Sequence, residues 1–248
     1  MSKFVEYANL PHEVERLIVG EKYRALLDKS LRSLKIEPIW CPPNPYIDER
    51  LSGHCDLSVL HAGGNTVFSA PYLKDTIFSR ELETQGFRII YPQVDMGKMY
   101  PKDASFNLCL LKNAFFYNPK VSDRSVTEHI TLRPIAVKQG YCRCSVCIVN
   151  GRSIISSDQS VSQKALKNGL DCLLIEPGYI ALEGFDYGFI GGSSFKISDN
   201  CICFTGTLDA HPDKEKILSF LKKHEVRPVF LTDMPIFDIG SAVPLTEK

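Results

Sequence analysis

Five short stretches of the chain hold the side-chain types that acid–base and nucleophilic chemistry need. They are Gly53-His54-Cys55-Asp56, Lys102-Asp103-Ala104-Ser105, Gln139-Gly140-Tyr141-Cys142-Arg143-Cys144, Gly188-Phe189-Ile190-Gly191-Gly192-Ser193 and Asp238-Ile239-Gly240-Ser241. An imidazole shuttles protons near neutral pH, a thiolate is a nucleophile, and a carboxylate pairs with a planar cation. His54 and Asp56 stand two apart, so on a strand they share a face, and Gly53 beside them permits close approach. That spacing suits a structural His–Asp hydrogen bond as well as a catalytic pair.

Cys144 follows Arg143, a cation able to hold a thiolate. Read as strand residues, Cys142 and Cys144 share a face, and three roles stay open for them: packing, a reactive thiol, or metal ligation. Cys147 would point to the opposite face, so one tetrahedral site does not easily use all three. Cys55 and His54 are the residues that could complete such a site across a pocket. No metal and no cofactor is assigned. The remaining histidines read as solvated: His61 sits beside a turn, His129 and His224 fall in helix surface patterns, and His12 and His211 precede helices. Gly191-Gly192-Ser193-Ser194 leads into a strand rather than a helix, so it reads as backbone approaching the pocket and not as a phosphate loop.

The elements that must position these stretches repeat at a period of about forty to fifty residues. Each unit reads as hairpin, helix, strand. The first has strands His54 to Leu60 and Thr66 to Ala70 around Gly63-Gly64, a helix from Lys74 to Gln85, and a strand from Phe87 to Tyr91. The second has Ser105 to Leu111, Ala114 to Asn118, a helix after Ser122 and Ile135 to Lys138. The third has Cys142 to Val149 and Arg152 to Ser156 around Asn150-Gly151, a helix Ser160 to Asn168 and a strand Cys172 to Ile175. The fourth has Ser193 to Ile197, Cys201 to Thr205, a helix from Pro212 and a strand Pro228 to Leu231. A lone strand, Gly240 to Leu245, follows. At the other end stand a strand near Arg16 to Val19, a helix Glu21 to Leu34 and a strand Ile36 to Cys41, so the two ends together supply a fifth unit that closes the ring and protects its edges. The expected fold class is therefore α/β, a five-fold pseudosymmetric β/α-propeller over residues 1–248 as one domain. The residues opening each hairpin converge at its centre.

Gly53-His54-Cys55-Asp56 resembles the Gly-His-x-Asp motif of the pentein superfamily of guanidino-group-modifying enzymes. The stretches Gln139 to Ile148, Asp171 to Gly178 and Gly184 to Gly192 resemble an uncharacterised bacterial family of that fold. The resemblance implies a proton-shuttle role for His54 and a substrate-binding role for Asp56. It also implies a nucleophilic Cys at the opening of the last strand, but no Cys follows Cys203, and Ser241 stands near that place. Cys144 is then the candidate for a displaced nucleophile. The candidate catalytic set is His54, Asp56 and Cys144, with Asp103, Gln139, Arg143, Ser193 and Ser241 as candidate substrate-binding residues. The resemblance implies a hydrolase or transferase acting on a guanidino or amidine small molecule; the absent C-terminal Cys points instead to a non-catalytic binding protein on the same fold, with a protein partner.

Composition narrows the setting. Among 248 residues, 29 Lys and Arg balance 29 Asp and Glu, so no global field draws the protein to nucleic acid or an anionic membrane. Met1 to Leu10 lacks the apolar core of a secretory signal, and no apolar run approaches the roughly 18 residues of a membrane span. Nine cysteines, an odd number, fit reduced thiols and a cytoplasmic location better than a disulfide framework.

Overall fold

The computed structural model describes residues 2–248. Met1, which opens the segment read for a leader, lies outside the described residues. From the N-terminus the chain runs through strands β1 (Lys3–Phe4) and β2 (Val14–Gly20), helix α1 (Arg24–Ser33) and strand β3 (Glu37–Cys41). Next come the hairpin β4 (Val59–Gly63) and β5 (Thr66–Ser69), helix α2 (Ile77–Thr84) and β6 (Arg88–Ile90). The order recurs as β7 (Cys109–Leu110), β8 (Ala114–Tyr117), α3 (Arg124–Thr127) and β9 (Arg133–Ala136). A single helical turn, α4 (Cys142–Ser145), precedes β10 (Cys147–Asn150), β11 (Ser153–Ser156), α5 (Gln159–Lys167) and β12 (Asp171–Leu174). The last full unit is β13 (Ser194–Ser198), β14 (Cys201–Phe204), α6 (Lys214–Lys223) and β15 (Arg227–Phe230), and β16 (Val243–Glu247) ends the chain.

Five small sheets result. Four have three strands, each an antiparallel hairpin extended by a parallel strand after the helix: β4-β5-β6, β7-β8-β9, β10-β11-β12 and β13-β14-β15. The fifth, ordered β1-β16-β2-β3, joins both chain ends, with β16 antiparallel to β2 and β3 parallel to it. The crossover helices pack because each presents an i, i+4 apolar pair to its sheet: Leu27 and Leu31 in α1, Phe78 and Leu82 in α2, Val161 and Ala165 in α5, Ile217 and Leu221 in α6. Thr76 caps α2 by accepting from Ser79 N at 3.2 Å, and Asp158 caps α5 by accepting from Val161 N at 2.9 Å. Each such cap contributes about 1 kcal/mol.

Buried apolar clusters lie between sheets. Ile18 and Ile39 meet Val59 and Val67; Leu60 and Phe68 meet Leu108 and Phe115; Cys109 and Phe116 meet Ile148 and Ile154. Val149 and Ile155 meet Ile202 and Phe204, and Phe195 and Cys203 meet Leu17 and Val19. Each sheet thus shares one cluster with each of two neighbours, and the last cluster leads back to the first.

The boundaries differ from the sequence reading where the site lies. Strand β4 begins at Val59, not His54, β7 at Cys109, not Ser105, and β10 at Cys147, not Cys142. The residues before β4 and β10 turn instead, Cys55–Leu57 as a 3-10 turn and Cys142–Ser145 as α4. The cause is at the backbone of α4: the Asn107 Oδ1 accepts from the amides of Arg143 at 2.7 Å and Cys144 at 3.2 Å. These are first-turn donors that a helix leaves unsatisfied, so one remote amide side chain holds the turn. Strand alternation therefore does not govern His54 and Asp56, nor Cys142 and Cys144.

Candidate active site

His54, Asp56 and Cys144 come together although 90 residues separate the first from the last along the chain: one nitrogen, one oxygen and the sulfur all lie within 4.8 Å of one another. All three are buried. The Cys144 thiol donates to Asp56 Oδ2 at 2.9 Å and accepts from Asn107 Nδ2 at 3.3 Å. His54 turns its Nδ1 toward Asp238 Oδ1, 3.9 Å away. Asp238 is fixed by two backbone amides, Phe189 N to Oδ2 at 2.9 Å and Gly240 N to Oδ1 at 2.8 Å. Among the described residues, His54 Nε2 and Asp56 Oδ1 have no hydrogen-bond partner.

Two glycines permit this crowding. Gly240 has φ +68, and a side chain there would collide with His54; Gly192 packs its backbone against the Asp238 carboxylate, where a methyl would overlap the oxygens. The Gly192 amide also donates to the Cys144 carbonyl at 2.7 Å, tying the segment before β13 to α4.

Burial dominates the electrostatics. It pushes the Asp56 carboxyl up to about 7, against the opposing pull of the Cys144 hydrogen bond. It holds the His54 imidazole below its ordinary value, with Asp238 pulling the other way. Burial and then the carboxylates of Asp56 and Asp238 raise the Cys144 thiol well above the ordinary range. At rest the sulfur is therefore a protonated thiol, and the imidazole is neutral.

A cavity of about 290 Å³ opens onto the cluster. His54, Cys144 and Asp238 form its polar end, and apart from Asp186 the rest of the wall is apolar or aromatic, Tyr141, Leu182, Phe185, Tyr187 and Phe189 among it. A wall of this kind with a few convergent polar groups is the usual form of a small-molecule site. A larger groove, about 910 Å³, lies by α1 and α2 among charged side chains such as Arg24, Asp28 and Glu81, and contains none of the candidate residues.

The other sequence candidates fall outside the cavity lining. Arg143 does not face the thiol: its guanidinium donates to Asn9 Oδ1 and to the carbonyls of Val146, Gly191 and Ser194, so it clamps backbone segments. Ser193 donates to the Ile190 carbonyl and Ser241 to that of Ser194, both fully buried. Gln139 bonds Asp158 and the Tyr141 amide. Asp103 stands one layer back, accepting from the hydroxyl of the lining residue Tyr141 at 2.7 Å. Cys142 donates to the Gln139 carbonyl, and Cys55 points at the carbonyls of Ile18, Gly240 and Ser241, so neither joins Cys144. His61 and His211 are buried rather than solvated. Asp238 stood in the fifth hairpin-opening stretch without a role, and nothing in sequence marked Asn107, whose contribution depends on a contact 37 residues away.

The backbone is similar to three solved structures. They are SxtG, an amidinotransferase from Microseira wollei in the saxitoxin biosynthetic pathway (TM-score 0.57, 12% identity, 91% of each chain covered), the inosamine-phosphate amidinotransferase StrB1 from Streptomyces griseus (0.56, 11%, 98% of this chain and 97% of that one), and the agmatine deiminase of C. jejuni (0.55, 10%, 93% and 90%). The molecule thus has the fold of the guanidino-group-modifying enzymes, the pentein fold, an α/β arrangement of several small sheets. No curated protein matches the sequence. Within that fold the chain belongs to DUF6873, a family of unknown function whose model matches residues 18–243.

Proposed function

We propose that the chain acts on a guanidino or amidine small molecule, as a hydrolase or transferase, with Cys144 as nucleophile. The observation that carries this is the thiol of Cys144 bonded to Asp56, with His54 beside it, at the wall of an aromatic-lined cavity. The solved neighbours include amidinotransferases and an agmatine deiminase, which supports the substrate class. In chemical terms a guanidinium is planar and cationic, so a carboxylate pairs with it and aromatic faces attract it. Asp238 supplies a carboxylate in the cavity wall, Asp56 a second one behind Cys144, and Tyr141 and Phe189 the faces. The substrate cation offsets the two charges that raise the thiol, so deprotonation follows binding. The Cys144 S–H turns from Asp56 to His54, Nε2 takes its proton, the sulfur adds to the guanidino carbon, and the proton passes to the nitrogen that leaves as the C–N bond breaks. Water or an amine acceptor then displaces the sulfur from the amidino carbon.

We further propose that the five sheets close as one domain, a five-bladed β/α-propeller whose fifth blade draws on both chain ends; the cyclic order of the inter-sheet clusters supports this. One observation favours a second reading, a non-catalytic binding protein on the same fold: Ser241, near the place of the missing nucleophile, is buried with its hydroxyl bonded to backbone. A panel of guanidino and amidine compounds, assayed for release of ammonia or amine and for amidino transfer, separates the two. Turnover abolished by Cys144→Ser supports the enzyme; neither turnover nor binding of any panel member supports the binder, whose partner is then a protein.

A further inference from the structure

We propose that His54, Asp56 and Cys144 form a zinc site with three protein ligands and an open fourth position facing the cavity. Three observations lead there. The donor atoms are one imidazole nitrogen, one carboxylate oxygen and one sulfur, all within 4.8 Å of one another. Two of the donor groups carry an atom with nothing to bond: His54 Nε2 and Asp56 Oδ1, on side chains at least nine-tenths buried. Orphaned polar atoms this deep are unusual and need a partner. Third, the charge behind the imidazole suits metal ligation: Asp238 Oδ1 stands 3.9 Å from Nδ1 and is itself held by two amides. At that distance the carboxylate acts through its charge, favouring the proton on the Nδ1 side and the Nε2 lone pair for a cation.

The donor set selects the metal. A sulfur ligand with one imidazole and one carboxylate suits zinc or cobalt, and argues against magnesium and calcium, which take oxygen alone. Three protein ligands leave a position for water or a ligand, the pattern of open zinc sites. His54 and Cys144 line the cavity while Asp56 stands behind them, so that position opens into the cavity. On binding, the Cys144 S–H bond breaks, its proton leaves to solvent, and a sulfur–zinc bond forms; Asp56 loses the thiol donor and turns an oxygen to the metal. Zinc and a guanidino compound require the same side chains, so the two occupy the site alternately and bound zinc inhibits the chemistry proposed above. The metal site does not depend on that chemistry.

Cobalt provides the readout. Chelator-treated protein titrated with Co²⁺ is expected to develop the thiolate-to-cobalt charge-transfer absorption, saturating at one equivalent and erased by Zn²⁺. Cys144→Ser is expected to remove the band, while Cys172→Ser, at a half-buried thiol outside the cluster, leaves it in place. Asp238→Asn, behind the ligand, is expected to weaken binding about 10-fold to 100-fold with the band retained. Circular dichroism of each variant reports folding. If Cys144→Ser does not fold, the Asp238→Asn shift decides. Absence of the band, or a band that survives in folded Cys144→Ser, overturns the site.

Discussion

Lys196 shows how burial alone sets a residue's chemistry. It lies on β13 with Nζ donating to the Asp199 carbonyl at 2.7 Å, and burial lowers its pKa from 10.5 to about 8. The groups that oppose this shift are Cys201, Asp199 and Cys147. The folded protein releases this proton near pH 8, whereas the unfolded chain holds it to about 10.5, so the unfolded state binds more protons in that window and stability rises with pH across it. Below pH 8 the full penalty remains. Lys196→Met is expected to raise stability at pH 7 by on the order of 2 kcal/mol and to remove that rise; urea titrations of both proteins at pH 7 and pH 10 check it, and an unchanged pH slope in the variant would contradict it. At the same scale, residue type made His54, Asp56 and Cys144 visible in the sequence, because few pairings serve nucleophilic chemistry. Their contacts were not visible. Alternation on an assumed strand put Cys142 beside Cys144, whereas the turn of α4 sends Cys142 to the Gln139 carbonyl and Cys144 to Asp56.

Among the elements, α4 depends most on a single outside group. Asn107 caps its first amides and supports the Cys144 sulfur, so Asn107→Ala unsatisfies two buried amides together. The expected loss is about 1–3 kcal/mol, measured by chemical denaturation, together with altered access to Cys144 measured by alkylation and mass spectrometry. A loss below 0.5 kcal/mol (roughly the size of a surface substitution) would mean that the turn stands without its cap. The repeated order of hairpin, helix and strand was legible because glycine turns, helix stops and apolar periodicity act locally. Polar central segments carry no such period, which is why three strands, β4, β7 and β10, were read four or five residues too early. The burial of His61 was equally hidden: its ring nitrogens sit 2.8 Å from the carbonyls of Pro244 and Gly64, one of which belongs to the other end of the chain.

At the scale of the whole molecule, the sheet β1-β16-β2-β3 is the join. β16 pairs with β2 on one side and β1 on the other, and it buries Leu245 and Val243 against the cluster shared with β4 and β5. Truncation after Ala242 would strip β2 of its antiparallel partner and expose both clusters beside it. Folding is then expected to fail, or stability to fall by several kcal/mol, read as loss of a cooperative urea transition; an unchanged midpoint would show that the ends fold independently. The shared sheet was legible from the orphan strand at one end and the orphan helix and strand at the other, since unpaired edges demand partners. The absence of a Cys after Cys203 made Cys144 a candidate in the sequence, but its contact with Asp56 became visible only in space.

The most direct test of the central claim uses two electrophiles of similar size, chloroacetamidine, whose amidinium mimics the substrate cation, and neutral iodoacetamide. The native protein is treated with each and the labelled cysteines are mapped by mass spectrometry. A thiol that is protonated at rest and activated by a bound cation predicts fast, saturable labelling of Cys144 by the amidine. It also predicts little labelling by the amide and loss of the amidine reaction in His54→Ala. Equal labelling by both reagents, or no labelling of Cys144 by the amidine, would contradict a guanidino-directed thiol at this site.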